Sequence, residues 1–137
     1  MHFKPEDIPV LSYYPGNTGC MRSVKAGEMQ MAGVWAHTLI DYTEAYAEFE
    51  DGTCPYTHYG YLISGRIRIT YKDGSIETIE AGEMYYLPAG HLLAYEAPSH
   101  HIEFNYDKEI IEQTQRLMPD GPLLTEEEAA AAYPPPS

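Results

Sequence analysis

Cys54, His58 and His91 carry the most reactive chemistry in this chain. Cys54 and His58 stand four residues apart, and His91 opens a run of strand-forming residues, His91–Tyr95. Neutral imidazole binds zinc, iron, nickel and copper, and a cysteine thiolate is a soft ligand for the same ions. Gathered on one cavity, two imidazoles and a thiolate would make a site for a divalent transition metal. The same residues packed beside tyrosines would instead be hydrogen-bonded core, and a cysteine is as readily a small buried hydrophobe. Both readings stay open at this level.

Other polar clusters carry weaker signals. His100 and His101 are adjacent, so on a strand they face opposite sides. His100 shares parity with Ile102, Phe104 and Tyr106 and is expected on the core side; His101 goes with Glu103 and Asn105, expected towards solvent or a partner. His37, in phase with Trp35 and Leu39, reads as a packed histidine. Asp41, Glu44, Glu48, Glu50 and Asp51 read as a solvated acidic loop, because they lack the spacing of a calcium loop. No Gly-x-Ser-x-Gly elbow, dinucleotide glycine fingerprint or Gly-Lys-Ser/Thr phosphate loop occurs.

The elements that must position these groups are strands. Residues 1–31 are broken by Pro5, Pro9, Pro15, Gly16 and Gly19, with short strands expected around Val10–Tyr14 and Met29–Met31. Residues 32–106 are β throughout: Val34–Tyr42, Tyr59–Ser64, Arg66–Tyr71, Ile76–Glu80, Met84–Leu87, His91–Tyr95 and Ile102–Tyr106 are Tyr-, Ile- and Leu-rich runs between turn residues. Asp73-Gly74 predicts a hairpin with a two-residue type I′ turn. Residues 107–137 turn helical, over Asp107–Met118 and again from Thr125, where Thr125 and Glu128 form a capping box ahead of Ala129–Ala132. Many short strands with regular turns and no helices between them mean a sandwich or barrel.

Residues 52–95 resemble a cupin of the small single-domain, type-2 or RmlC-like kind. The second half-motif of that superfamily is a glycine, a spacer, Pro-x-Gly and then a histidine ligand. Gly82 through Pro88-Ala89-Gly90 fits it, but the ligand position, three places after Gly90, holds Leu93. The first half-motif is His-x-His, a glutamate and a closing glycine. Gly65 is that glycine and His58 occupies the glutamate position, while the paired-histidine positions fall near Gly52 and Cys54. The stretch from Cys54-Pro55 through His58 and Gly65 to Pro88-Ala89-Gly90-His91 is similar to a subgroup of short bacterial and archaeal cupins, with a Cys-Pro-His first motif and a Pro-Pro-Gly-His second one.

The resemblance implies an all-β double-stranded β-helix, a jelly-roll barrel, with short C-terminal helices. It places His58 inward, and places His91 inward through its parity with Leu93. The implied site has His58, His91 and Cys54 as metal ligands, with zinc, iron, nickel, copper or manganese as candidate ions. Tyr56, Tyr86, Leu93 and Tyr95 are the candidate substrate-binding residues; parity supports Tyr56 and Tyr95 and is silent on Tyr86. Related folds host isomerases, lyases, decarboxylases and dioxygenases, so the reaction is open. The rival is a metal-free binding or sensing protein, which Leu93 favours by making the wall apolar.

Composition bounds the partners. The chain has 137 residues, 44% of them hydrophobic, enough for one domain with a real core. Eight Lys and Arg against twenty-one Asp and Glu give a formal charge of −13, which repels nucleic-acid phosphates. No apolar run reaches the ~20 residues of a membrane span, and the first residues lack the pattern of a secretory signal. Two cysteines are too few for a disulfide framework, so a reducing cytoplasm is expected. Thirteen tyrosines against three phenylalanines predict a wet aromatic interior or interface. Tyr59, Tyr61 and Ile63 alternate with His58 as an outward apolar stripe, from which a homodimer is expected.

Overall fold

The computed structural model describes residues 1–117 apart from Pro15 and Asn17. Its strands are β1 (Val10–Tyr14), β2 (Gly19–Ala26), β3 (Met29–Ala36), β4 (Ile40–Asp41), β5 (His58–Ser64), β6 (Arg66–Tyr71), β7 (Ile76–Glu80), β8 (Met84–Leu87), β9 (His91–Tyr95) and β10 (Ser99–Tyr106), followed by helix α1 (Asp107–Leu117). They form a six-stranded sheet ordered β1-β2-β3-β10-β5-β8 and a four-stranded sheet ordered β4-β9-β6-β7. β3 beside β10 and β9 beside β6 are pairs distant in sequence, the crossing pattern of a jelly roll.

The chain changes sheet at Gly65, between β5 and β6. Gly65 has φ +98°, a backbone region only glycine occupies freely, and its Cα lies against Ser99 and Pro98. Leu62, Ile67, Ile69, Ile79 and Leu87 meet as one apolar core, each almost wholly buried. At ~1.5–3 kcal/mol per buried aliphatic side chain, this cluster is a main source of stability. A second cluster, Met21, Ala32, Val34 and Ile110, carries α1.

Three local readings change. β2 was not anticipated: it pairs with β3 through Gly27-Glu28, a Gly-first two-residue loop with Gly27 at φ +66°. The boundary drawn at residues 31 and 32 therefore falls inside β3, and the N-terminal segment supplies strands to the large sheet. Val34–Tyr42 is not one strand: it breaks at residues 37–39, where the chain leaves the large sheet for the small one, and His37 is exposed there rather than packed.

The Asp73-Gly74 hairpin exists, with a different turn. Only Gly74 has positive φ, and its N–H donates to the Tyr71 carbonyl at 2.9 Å. That is a three-residue loop closed by a left-handed glycine, not a type I′ turn. The expected capping box at Thr125 lies outside the described residues.

Candidate metal centre

β5 and β9 lie in different sheets, so His58 and His91 approach from opposite walls. Cys54 belongs to no strand. It is clipped to β9 by two backbone hydrogen bonds: its N–H donates to the His91 carbonyl and Gly90 N–H donates to the Cys54 carbonyl, both at 2.8 Å. Cys54 thus sits beside His91 on one side and four residues from His58 on the other. The three are buried, and one ligand atom from each lies within 4.8 Å of the others.

Hydrogen bonding orients the rings. His91 Nδ1–H donates to the Pro88 carbonyl at 2.7 Å. His58 Nδ1 faces Asn105 Oδ1, with Glu103 Oε1 at 3.3 Å; the tautomer that suits two acceptor oxygens has the proton on Nδ1. In that neutral tautomer both Nε2 atoms turn a lone pair to the space beside Cys54 Sγ. This is the outer-shell arrangement of histidine metal ligands. Cys54 Sγ to His58 Nε2 is 3.6 Å, and tetrahedral zinc with ordinary Zn–S and Zn–N bonds spans a sulfur–nitrogen edge of about 3.6 Å. The donor set fits a divalent ion.

Electrostatics agree. Burial pushes the Cys54 thiol up, but hydrogen bonds and charge from His58 and His91 overcome it and bring its pKa down to about 6. Burial pulls the His58 imidazole down, while the Glu103 carboxylate and the Cys54 thiolate raise it to about 9. A low thiol and a high imidazole in contact mark a site organised around separated charge.

The centre opens on a cavity of about 200 Å³ between the sheets. Leu93 and Tyr95 line it. Tyr56 does not: it precedes β5 outside regular strand, where parity has no force, and its oxygen accepts from Arg116 Nη1 at 3.1 Å. Tyr86 is 54% exposed and stacks on Tyr59 at 5.1 Å on the outer face. Alternation sends Tyr85 and Leu87 inward instead, and Gly60 opposite Tyr85 leaves room for its ring.

The face of β10 is also the reverse of the expected one. His101, Glu103 and Asn105 are buried, whereas Phe104 and Tyr106 are 41% and 42% exposed. His100 stacks on Trp35 outside. His101 is held between Tyr85 Oη and Tyr95 Oη, both at 2.7 Å. A neutral ring suits both: one nitrogen accepts from a phenol O–H and the other donates its N–H to the second phenol oxygen.

That arrangement needs a neutral His101, and burial lowers its pKa to about 4 despite the Glu103 carboxylate. An unfolded histidine titrates near 6.5, so between these values the unfolded chain takes up a proton that the folded one refuses. Stability is therefore expected to fall as pH drops from 6.5 towards 4, by about 3 kcal/mol in all. Denaturation midpoints across that range measure it, and His101→Gln should flatten the slope.

Sequence reasoning missed Glu103 and His101, and also Tyr14, Tyr42 and Tyr46, which line the same cavity. The one signal for the first two was the strict polar alternation His101-x-Glu103-x-Asn105, read with the wrong side inward.

No family model and no curated protein matches the sequence. Solved structures do. An RmlC-like cupin from Shewanella frigidimarina superposes with a TM-score of 0.53 at 14% identity, over 77% of this chain and 90% of its own. The chain has the cupin fold. The cupin likeness extends to HppE in its iron(II) form, with a TM-score of 0.53 and 9% identity over 77% of this chain and 60% of that one. An oxalate decarboxylase variant from Bacillus subtilis gives 0.51 and 16%, over 82% of this chain and 30% of that one. At these identities the likeness establishes the cupin fold, and activity has to be argued from the chain's own residues.

Proposed function

We propose that this cupin is a metal-dependent enzyme, holding one divalent transition ion at Cys54, His58 and His91 and acting on a small organic molecule in the adjoining cavity. The observation that carries this reading is the pair of histidines whose Nδ1 protons are engaged by Pro88 and Asn105, with both Nε2 atoms left beside a buried thiol. One thiolate and two imidazoles favour zinc, iron or copper over manganese, which prefers oxygen ligands. Three protein ligands leave coordination open to a substrate or water, and a bound ion would supply Lewis acidity there. Glu103, buried beside His58 and on the cavity wall, is placed to hold a substrate proton, and the apolar walls exclude water.

The test is metal analysis of protein purified without a histidine tag and then reloaded with zinc or iron(II). About one ion per chain supports the reading. No retained ion under any loading condition supports the metal-free binding protein, for which Leu93 and the apolar lining speak.

Asn105 offers a finer test. Its Nδ2 is a buried donor with no partner among the described residues, so Asn105→Leu removes an unsatisfied group and should leave thermal stability nearly unchanged. Zinc affinity should nevertheless fall about tenfold, the lower end for a lost outer-shell partner, because Glu103 still faces His58. Competition with a chelating dye measures it.

We also propose a cytoplasmic homodimer. A reducing compartment keeps a thiolate ligand available, both cysteines are free, and among the described residues no helix is long and apolar enough to cross a membrane. Tyr86, Tyr59 and Phe104 lie side by side across β8, β5 and β10, with Tyr61, Ile63 and Met84 nearby, all exposed. Such a patch on a sheet face is ordinarily covered. Light scattering at micromolar concentration should give twice the chain mass, and Tyr59→Glu should shift it to the monomer.

A further inference from the structure

Helix α1 is laid along the Cys54–His58 segment by one stripe of side chains. Glu109, Gln113 and Arg116, at i, i+4 and i+7, share a helix face. Thr57 N–H donates to Glu109 Oε1 at 3.1 Å, and Arg116 Nη1–H donates to Tyr56 Oη at 3.1 Å. The Arg116 guanidinium also covers the Phe49 ring, 4.1 Å from its centre. Gln113 lies between these two anchors. Its Nε2–H donates to Tyr46 Oη at 3.1 Å, which turns Oε1 to Cys54 Sγ at 3.7 Å.

Gln113 is buried, and it lines the same cavity as His58 and His91. A carboxamide set on the apolar face of a helix, between Ile110 and Leu117, has to satisfy both of its ends. Tyr46 serves the nitrogen. A thiol S–H is a weak donor and a poor partner for the buried oxygen, whereas a divalent cation beside the sulfur would be a strong one. Ordinary Zn–S and Zn–O bonds give a tetrahedral sulfur–oxygen edge of about 3.6 Å, close to the 3.7 Å between Cys54 Sγ and Gln113 Oε1.

We infer that Gln113 is the fourth donor of the metal centre: its amide oxygen holds the ion together with Cys54, His58 and His91 until a substrate takes that place. This rests on the proposed metal site. It adds a ligand from α1 and a resting centre that binds no water. An uncharged amide oxygen holds zinc, iron or copper less firmly than imidazole or thiolate does, so it is the donor a substrate displaces.

Cobalt(II), loaded anaerobically in place of zinc, reports the fourth ligand through its electron paramagnetic resonance signal. Water enriched in oxygen-17 broadens that signal only when a water oxygen is bound to the ion. The parent should hold about one cobalt per chain and give the same line width in ordinary and enriched water. Gln113→Leu keeps the size and helix preference of the residue. It should still hold cobalt, about tenfold more weakly, and its signal should broaden as water fills the vacated place. Gln113→Glu, which restores an oxygen, should give an unbroadened signal again. Where Gln113→Leu fails to fold, Gln113→Asn, whose amide stops one carbon short, should show the same broadening. A broadened signal in the parent, or an unbroadened one in folded, cobalt-loaded Gln113→Leu or Gln113→Asn protein, overturns the inference. The two readings fail separately. A parent that retains no cobalt under any loading condition ends both, and retained cobalt with a broadened parent signal ends this inference alone.

Discussion

Alanine at Cys54, at His58 or at His91 should each abolish the metal binding proposed above, with an affinity loss larger than the ~10–100-fold that follows removal of an outer-shell partner. The three residues reach the centre from different places, Cys54 from a loop clipped to β9, His58 from β5 and His91 from β9, so no neighbour can replace a lost ligand. The proton balance gives the loss a second signature. Between pH 6 and 9 the Cys54 thiol is already ionised in the metal-free protein, while His58 still carries the proton an incoming ion must displace. Zinc affinity should therefore rise about tenfold per pH unit across that window and level off above it. Below pH 6 Cys54 also takes up a proton, and the dependence should steepen. Chelator competition from pH 5 to 9 reads both slopes. A flat profile would show that neither group contacts the ion.

The largest stability effect is expected at Gly65. Alanine there must adopt φ +98°, at a cost of ~1–2 kcal/mol, and its Cβ would overlap Ser99 Oγ and the Pro98 carbonyl oxygen. Pro98 and Ser99 lead into β10, whose buried face carries His101, Glu103 and Asn105, so relief of the clash must move the strand behind the site. A loss of about 3 kcal/mol or more follows, lowering the denaturation midpoint by about 10 °C. Gly74 is the control. It also has positive φ, +85°, but a Cβ there meets nothing within 4 Å, so Gly74→Ala should cost only about 1 kcal/mol. Equal shifts for the two variants would show that packing at Gly65 is looser than described.

Much of the fold was legible because its signals are local. Arg66–Tyr71, Ile76–Glu80, Met84–Leu87 and His91–Tyr95 are strands with the bounds read from β-prone runs between turn residues. The double glycine-and-proline pattern of the cupin motifs was visible for the same reason: a left-handed turn needs glycine wherever the rest of the chain lies. β2 escaped because its hairpin glycine, Gly27, is followed by glutamate rather than paired with Asn or Asp.

Which face of a strand is interior was not legible. Alternation along β10 and β8 follows from the pleat alone, so His100 and His101, like Tyr85 and Tyr86, had to part company. The sequence settles no more than that, because an apolar residue can face a partner surface and a polar one can be buried if its hydrogen bonds are met. Phe104 and Tyr106 are outside; His101 is inside because Tyr85 from β8 and Tyr95 from β9 bring hydroxyls to both of its nitrogens. Those partners come from two different sheets, and Cys54 meets His91 only through a bridge between a loop and β9. Residue types and their spacing set what chemistry the chain could do. Which of those groups meet was decided by the packing of one sheet on the other, because hydrogen-bond satisfaction and burial are properties of the whole fold.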